Sequence, residues 1–375
     1  MLMIYIAGSI LCMGLALLLT PLVKKFAVKI GATDVPNARK VHTQIMPRLG
    51  GLGIFLAFVL GLLVVLPVLP YDFTPREENF IRALLSGGGL IVLIGALDDR
   101  FELSAKVKLL GQIAAACIVV FGFDITVNFV NIPFHNSYSS LESWIAIPLT
   151  IFWIVGVTNA VNLIDGLDGL AAGVSGIAIA TIAVMAFIMG NTAVALLCLL
   201  LLGSIVGFLF FNFHPAKIFM GDTGSLFLGF CLALLALLGF KQIAVVSFIT
   251  PLLIIGVPLS DTFFAIVRRK LQKKPIFAPD KGHLHHCLRE LGFSHRQTVL
   301  IIYGIAAFFG VLAVIQTSAS LYEANWVTFV VICVMLFFLQ IGAEITGVIS
   351  KTKRPVIDFF MRLRMKTDAE RGSKS

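Results

Sequence analysis

An all-α integral membrane protein of about eleven transmembrane helices is the fold class the sequence predicts, and three observations predict it. Hydrophobic residues make up 58% of the 375 positions and charged ones only 13%, whereas a soluble domain carries about a quarter charged residues. Mean hydropathy is +0.98, and apolar runs of bilayer-spanning length follow one another along the chain. Lysine and arginine, finally, fall almost wholly on one side once the runs are numbered.

The spans read by hydropathy are 2–23, 50–70, 80–97, 107–123, 144–161, 170–189, 193–211, 224–240, 242–260, 298–317 and 325–347. Assigning the intervening segments alternately to two sides puts 26 of the 29 Lys and Arg on one of them, in 24–49, 98–108, 212–223, 261–297 and 348–375. The other side holds Arg76, Arg82 and Lys241. The positive-inside rule makes the rich side cytoplasmic, with the N-terminus outside and the C-terminus inside. Residues 1–348 then form one transmembrane domain with cytoplasmic loops 24–49, 98–108, 158–169, 212–224 and 261–297, and 349–375 form a basic tail at the membrane surface. The same partition accounts for the net charge of +9 through the lipid bilayer, with no nucleic acid as partner.

The first span lacks a basic n-region and is of full spanning length, so it reads as a retained helix. Lys40-Val-His42 and Pro47-Arg48-Leu-Gly50-Gly51 follow it. The third span ends in Asp98-Asp99-Arg100-Phe-Glu102 and leads to Ser104-Ala-Lys106-Val-Lys108. Adjacent carboxylates there repel unless a cation or a lysine neutralises them, the plainer reading being solvated loop charges. Beyond the fourth span, Phe123–Phe134 alternates Ile125, Val127 and Phe129 as a short external strand pair would.

The fifth span runs into Thr158–Gly173, where Asn159, Asn162, Asp165 and Asp168 recur every third residue and meet in pairs on a helix surface. Gly166 and Gly169 argue against a continuous helix and let the backbone approach a ligand. Unpaired carboxylates near a membrane are costly, which favours function over an interfacial turn with solvated caps. After the seventh span, Asn212-Phe-His214-Pro215 leads to Gly221-Asp222-Thr223-Gly224-Ser225. Glycine frees the backbone there while Asp222 offers a hard oxygen ligand; an ordinary helix cap by Thr223 or Ser225 is the alternative. Asp261 near the end of the ninth span reads equally as an interfacial aspartate or a functional one. Arg268–Lys274 is a topology-setting basic run. His283, His285 and His286 follow without a cysteine pair, which argues against zinc. The six cysteines are scattered and give neither a disulfide framework nor a metal motif.

In this topology every even-numbered helix begins on the cytoplasmic side, so Gly50, Ser104, Gly169 and Ser225 mark the positive ends of helices two, four, six and eight. Free N–H groups and the helix dipole favour phosphates there. With basic residues and clustered carboxylates added, the pattern reads as a metal–polyphosphate site at the membrane surface. A Walker sequence and a G-x-G-x-x-G after a strand are both absent from the chain. The rival class is an anion transporter, which would bind near the midplane with repeat symmetry; here the polar groups gather at one face without a convincing repeat. A catalytically silent scaffold would not need so many acidic and amide groups.

In this order the motifs resemble those of the polyprenyl-phosphate N-acetylhexosamine-1-phosphate transferases, over roughly residues 1–315. Pro47-Arg-Leu-Gly-Gly51, Ser104-Ala-Lys-Val-Lys-Leu-Leu-Gly-Gln112, Pro215-Ala-Lys-Ile-Phe-Met-Gly-Asp-Thr-Gly-Ser225 and His283-Leu-His-His286 look like the UDP-N-acetylglucosamine branch. Glu102 departs from the aspartate common in that branch and keeps the charge. The resemblance implies transfer of GlcNAc-1-phosphate from UDP-GlcNAc to undecaprenyl phosphate at the cytoplasmic face of a bacterial plasma membrane. The products are UMP and the lipid-linked pyrophosphate sugar that starts a cell-envelope glycan, whether teichoic acid or lipopolysaccharide. It further implies Mg²⁺ or Mn²⁺ held by Asp222 and Asn162, and Asp98 as base or orienter for the lipid phosphate with Asp99 beside it. Lys108 or Lys106 and Lys40 would grip phosphates, Asp165 would order the site, and Asn212 would lie near the nucleotide. Arg48, Asn159 and Asp168 join the substrate-binding set, and His283, His285, His286 and Arg289 would contact pyrophosphate or sugar. Direct attack is favoured over an aspartyl-phosphate intermediate, and a membrane homodimer is expected. Another UDP-N-acetylhexosamine donor, or the phospho-N-acetylmuramoyl-pentapeptide donor, is the alternative within the enzyme class.

Overall fold

A computed structural model describes residues 2–34, 45–127, 129–131, 138–239, 249–274, 282–322 and 324–348. Lys40, Lys281 and the basic tail 349–375 lie outside the described residues. The chain is an all-α integral membrane protein: among the described residues nine helices are long and apolar enough to cross a bilayer, and a tenth apolar segment, Gly221–Leu237, is shorter.

Helix α1 (Leu2–Ile30) spans 29 residues, about 44 Å at 1.5 Å per residue, and so outruns a hydrocarbon core of about 30 Å. Lys24, Lys25 and Lys29, expected in a loop, therefore ride on its last turns. A two-residue strand β1 (Thr33–Asp34) pairs antiparallel with β2 (Met46–Pro47) and leads into α2 (Gly50–Val65). Helix α3 (Pro75–Phe101) opens on a reciprocal cap between Thr74 and Glu77, and Pro75 costs no hydrogen bond in that first turn. Glu102, at φ 51°, ends it. Helix α4 (Ala105–Cys117) widens into a π-helical stretch over Ile118–Gly122. The expected strand pair lies later in the chain, with β3 (Phe129–Asn131) against β4 (Tyr138–Ser140). Ile125 and Val127 precede it.

Helices α5 (Ser143–Leu163), α6 (Leu170–Ile188), α7 (Thr192–Asn212) and α8 (Gly221–Gly239) follow the expected spans. Residues 242–248 of the expected ninth span lie outside the described residues, and the described part does not form one rod. It is split into α9 (Ile249–Ile254) and α10 (Gly256–Leu271), because Pro258 has no N–H to return to the Ile254 carbonyl and is tolerated only in a helix's first turn. The second piece then runs on to Leu271, past the expected end at residue 260. A short α11 (Leu284–Glu290) carries two of the three clustered histidines, before α12 (His295–Leu321) and α13 (Asn325–Ile345).

Helix α8 is the axis of the bundle. From Leu226 to Ala236 its side chains are buried on every side, as expected of a helix that is apolar all round. It packs against α2, α3, α5 and α6, while α1 lies outside against α2 and α7. Close approach is achieved with small residues, as is usual where lipid supplies no hydrophobic drive. A Cβ on Gly51 of α2 would lie 2.0 Å from the Gly224 Cα of α8.

Candidate active site at the head of the eighth helix

The site is built where the C-terminal end of α3 meets the N-terminal end of α8. Gly221 has φ +71°, and a Cβ there would fall 2.3 Å from Asp99 Oδ2, so glycine alone suits that corner. The first free N–H groups of α8 are satisfied by Asp99: Asp222 N donates to Oδ1 at 2.9 Å and Thr223 N to Oδ2 at 3.0 Å. The Thr223 hydroxyl also donates to Oδ2. A three-bond tie of this kind fixes how α8 enters the bundle. On its other flank the irregular segment before α8 bonds to the start of α2: Phe219 N donates to the Pro47 carbonyl at 2.9 Å, Gly50 N to the Phe219 carbonyl at 3.0 Å, and Gly51 N to the Met220 carbonyl at 2.9 Å.

On that frame four side chains from four helices meet. Lys108 Nζ of α4 donates to Asp222 Oδ2 at 2.9 Å and to Asp98 Oδ2 at 3.3 Å. Asn162 Nδ2, at the end of α5, donates to Asp222 Oδ1 at 3.1 Å and to Ser225 Oγ at 2.8 Å. Asp98 Oδ1 is buried and finds no hydrogen-bond partner among the described residues. Asp165 lies in the turn between α5 and α6. Burial, reinforced by the charges of Asp222, Asp99 and Asp168, raises its carboxyl to about 8, with Arg48 opposing. The local balance is plain: clustered carboxylates share one ammonium, and one buried oxygen is left open. A hard divalent cation fits this donor set of carboxylate and amide oxygens, as Mg²⁺ or Mn²⁺ prefers.

The expected substrate-binding residues divide sharply. Asn159 and Asn162 ride on α5, but Asn159 turns to α4, pairing with Gln112 and donating to the Val155 carbonyl at 2.8 Å. Asn212 is spent on the frame, with Oδ1 accepting from Gly169 N at 3.1 Å and Nδ2 donating to the Ile218 carbonyl at 3.0 Å. Asp168 Oδ2 accepts from Ala216 N at 3.2 Å and lies 2.7 Å from His214 Nδ1. Arg48 reaches Asp34 at 2.7 Å. Lys106 is exposed, and Arg289 donates to the Phe293 carbonyl at 3.2 Å. The helix ends expected to receive phosphates are largely occupied: Gly50, Gly51, Asp222, Thr223 and Gly169 all donate within the protein.

The histidine segment does join the site. Asp261 holds it, accepting from Leu284 N at 2.7 Å and lying 2.9 Å from His283 Nδ1. Asp261 is therefore buried and paired, not a solvated interfacial aspartate. His285 is laid onto the 164–169 turn, its Nε2 only 2.4 Å from where a Cβ on Gly166 would be, and His286 packs beside it at 4.2 Å between ring centroids. Burial and the charge of His286 hold the His285 imidazole down to about 3, so it is neutral at physiological pH. Motif reading marked Gln112 and Ser225 without their partners, Asn159 and Asn162, which lie 47 and 63 residues away in sequence. It missed Tyr303 and His295 altogether: Tyr303 donates to the Gly169 carbonyl 134 residues away, and no local pattern marks either residue.

The family model described as glycosyl transferase family 4 matches residues 81–240, the stretch that carries Asp98, Lys108, Asn162 and Asp222. The chain is 46% identical over 348 residues to a probable undecaprenyl-phosphate N-acetylglucosaminyl 1-phosphate transferase of Bacillus subtilis, covering 92% of this chain and 93% of that protein. It is 37% identical over 312 residues to a decaprenyl-phosphate N-acetylglucosaminephosphotransferase of Mycobacterium tuberculosis, covering 76% of each. Its identity to the undecaprenyl-phosphate alpha-N-acetylglucosaminyl 1-phosphate transferase of Escherichia coli K12 is 29% over 354 residues, covering 93% and 92%.

Proposed function

The chain belongs to glycosyl transferase family 4, and from that premise we propose that it transfers GlcNAc-1-phosphate from UDP-GlcNAc to undecaprenyl phosphate. The observation that carries the reading is the Lys108 ammonium set between Asp98 and Asp222 beside an open buried carboxylate oxygen. That is the equipment a reaction between two anions requires. Family membership also sets the transporter class aside.

An oxygen of the lipid phosphate attacks the sugar-bearing phosphorus of the donor. The bond from that phosphorus to the bridging oxygen breaks, and UMP leaves with the electron pair. Little covalent chemistry falls to the protein, so its work is alignment and charge neutralisation. Asp98 orients the lipid phosphate and takes its proton where one is present. Lys108 lowers the repulsion between the two phosphates as they approach. Asp222 and Asn162 are the residues that would hold Mg²⁺ or Mn²⁺. When bound, the ion screens the donor's diphosphate and stabilises the charge that develops on the leaving phosphate. Asp99 touches neither substrate in this reading; it positions Asp222 through the first turn of α8. His283, held by Asp261, presents the histidine segment toward the sugar phosphate. With no group committed to forming a phospho-enzyme, direct attack is the simpler route.

The test is UMP release by detergent-purified protein supplied with undecaprenyl phosphate and Mg²⁺. UDP-GlcNAc, UDP-GalNAc and UDP-MurNAc-pentapeptide are run in parallel. Turnover of UDP-GlcNAc is expected, abolished by EDTA, restored by Mg²⁺ or Mn²⁺, and lost in Asp222→Ala. Turnover of the pentapeptide donor alone would move the chain to another branch of the family, and release unaffected by EDTA would remove the cation from the mechanism.

A further inference from the structure

We propose that Asp168, His214 and His295 form a second cation site, distinct in chemistry from the carboxylate cluster and suited to a borderline transition-metal ion such as Zn²⁺. One carboxylate oxygen and one nitrogen of each imidazole lie within 4.8 Å of one another. The three residues come from separate segments: the 164–169 turn, the 213–220 connection that approaches α8, and the first turn of α12. Asp168 Oδ2 is 2.7 Å from His214 Nδ1, and the two imidazoles stack with centroids 4.0 Å apart and planes 17° from parallel. His295 Nε2 is buried and has no hydrogen-bond partner among the described residues. Orphaned buried ring nitrogens are uncommon in folded proteins and ask for a partner.

The donor set chooses the ion. Two imidazoles and one carboxylate are a set that zinc enzymes use, leaving one position of a tetrahedron for water or another oxygen. Mg²⁺ prefers oxygen ligands throughout and would favour the Asp98–Asp222 cluster instead. Bonds of about 2.0–2.2 Å to zinc would draw the three donors closer than they stand. Two near-parallel rings cannot both aim an in-plane nitrogen at one ion, so binding also requires the His214 ring to turn out of the stack; His214 and Asp168 are 37% and 17% accessible, which leaves room for that rotation. An ion here would tie together α12 and two connections on which the site's geometry rests, the turn bearing Asp165 and the 213–220 segment leading into Gly221. This inference is independent of which sugar nucleotide the enzyme uses.

The experiment uses the full-length protein in detergent, stripped with chelator and titrated with Co²⁺, then with Zn²⁺ as competitor. Ligand-field absorption of tetrahedral Co²⁺ at one equivalent per chain is expected, displaced by Zn²⁺. X-ray absorption at the zinc edge of the wild-type protein should show two imidazoles. His295→Ala and His214→Ala should weaken binding by more than about tenfold, whereas Asp222→Ala and His286→Ala should leave it in place. Wild-type protein that takes up no tetrahedral Co²⁺ overturns the proposal, as does binding unchanged in both His295→Ala and His214→Ala. The wild-type spectra decide the matter even if either of those two variants does not fold.

Discussion

Asp98 and Asp99 are neighbours in sequence to which the proposed mechanism gives opposite duties, and the difference is measurable. Asp99 satisfies three donors at the start of α8, so Asp99→Ala orphans buried groups at about 1–3 kcal/mol each. Its melting midpoint should fall together with its activity. Asp98 offers one oxygen to Lys108 at 3.3 Å and leaves the other open. Asp98→Asn should therefore hold the wild-type midpoint while UMP release drops by roughly 100-fold or more, the scale of losing one group that acts on the transition state. Equal loss of stability in both variants would refute the division of labour. Asp165 supports a prediction in pH. Its folded value of about 8 stands above an unfolded value near 3.9, so between those limits the folded state binds the extra proton. Stability of chelator-treated protein should therefore decline as pH rises from about 4 to about 8. In Asp165→Asn that decline should be shallower, and unchanged steepness would show that the carboxylate is not crowded as described.

At the scale of elements, the site depends on how closely α2 and α3 approach the head of α8. Gly51 would place a Cβ 2.0 Å from Gly224, backbone against backbone, with no flexible side chain to yield. Gly51→Ala should cost about 1–3 kcal/mol as an overpacked contact. It should also lower activity by moving Asp222 relative to Lys108. Gly304, in the middle of α12, has nothing within 4 Å of its virtual Cβ, so Gly304→Ala should be neutral or gain up to about 1 kcal/mol of helix preference. Melting followed by the fluorescence of the 3 tryptophans compares the two, and a Gly51→Ala protein as stable and active as Gly304→Ala would remove the packing argument. Helix heads show the same economy. N–H groups at the starts of α2 and α8 are consumed within the protein, so in the proposed reaction those two helix ends would leave charge neutralisation to Lys108 and a bound cation.

For the whole molecule, the spans and the polar motifs at their ends were legible because each is local: hydropathy marks a helix, and acids in a short run mark its end. Asp98, Lys108, Asn162 and Asp222 were found that way, and the bundle brings all four together. The inward duties of Asn159, Asn212 and Asp168 were not legible, since an asparagine that caps a distant loop has the same local sequence as one that binds a ligand. Pro258 was visible, but the position of the break it imposes depends on which carbonyl it leaves unbonded. Orientation in the bilayer rests on charge alone, and it decides whether the site meets cytoplasmic nucleotide sugars. On the 26-to-3 partition of Lys and Arg, the expected topology has the 319–324 loop outside and the α11–α12 connection inside. Tyr322 is 84% exposed and Leu291 61%, so both accept a cysteine without disturbing the core. With Cys333 replaced by serine, Tyr322→Cys should react with a membrane-impermeant maleimide in intact cells, and Leu291→Cys only after permeabilisation. The reverse pattern would turn Asp98 and Asp222 outward, away from any cytoplasmic donor, and the proposed reaction would lose its substrate. Labelling at both positions in intact cells would mean an odd number of crossings has been miscounted between them, and α12 is the helix whose span would then have to be withdrawn.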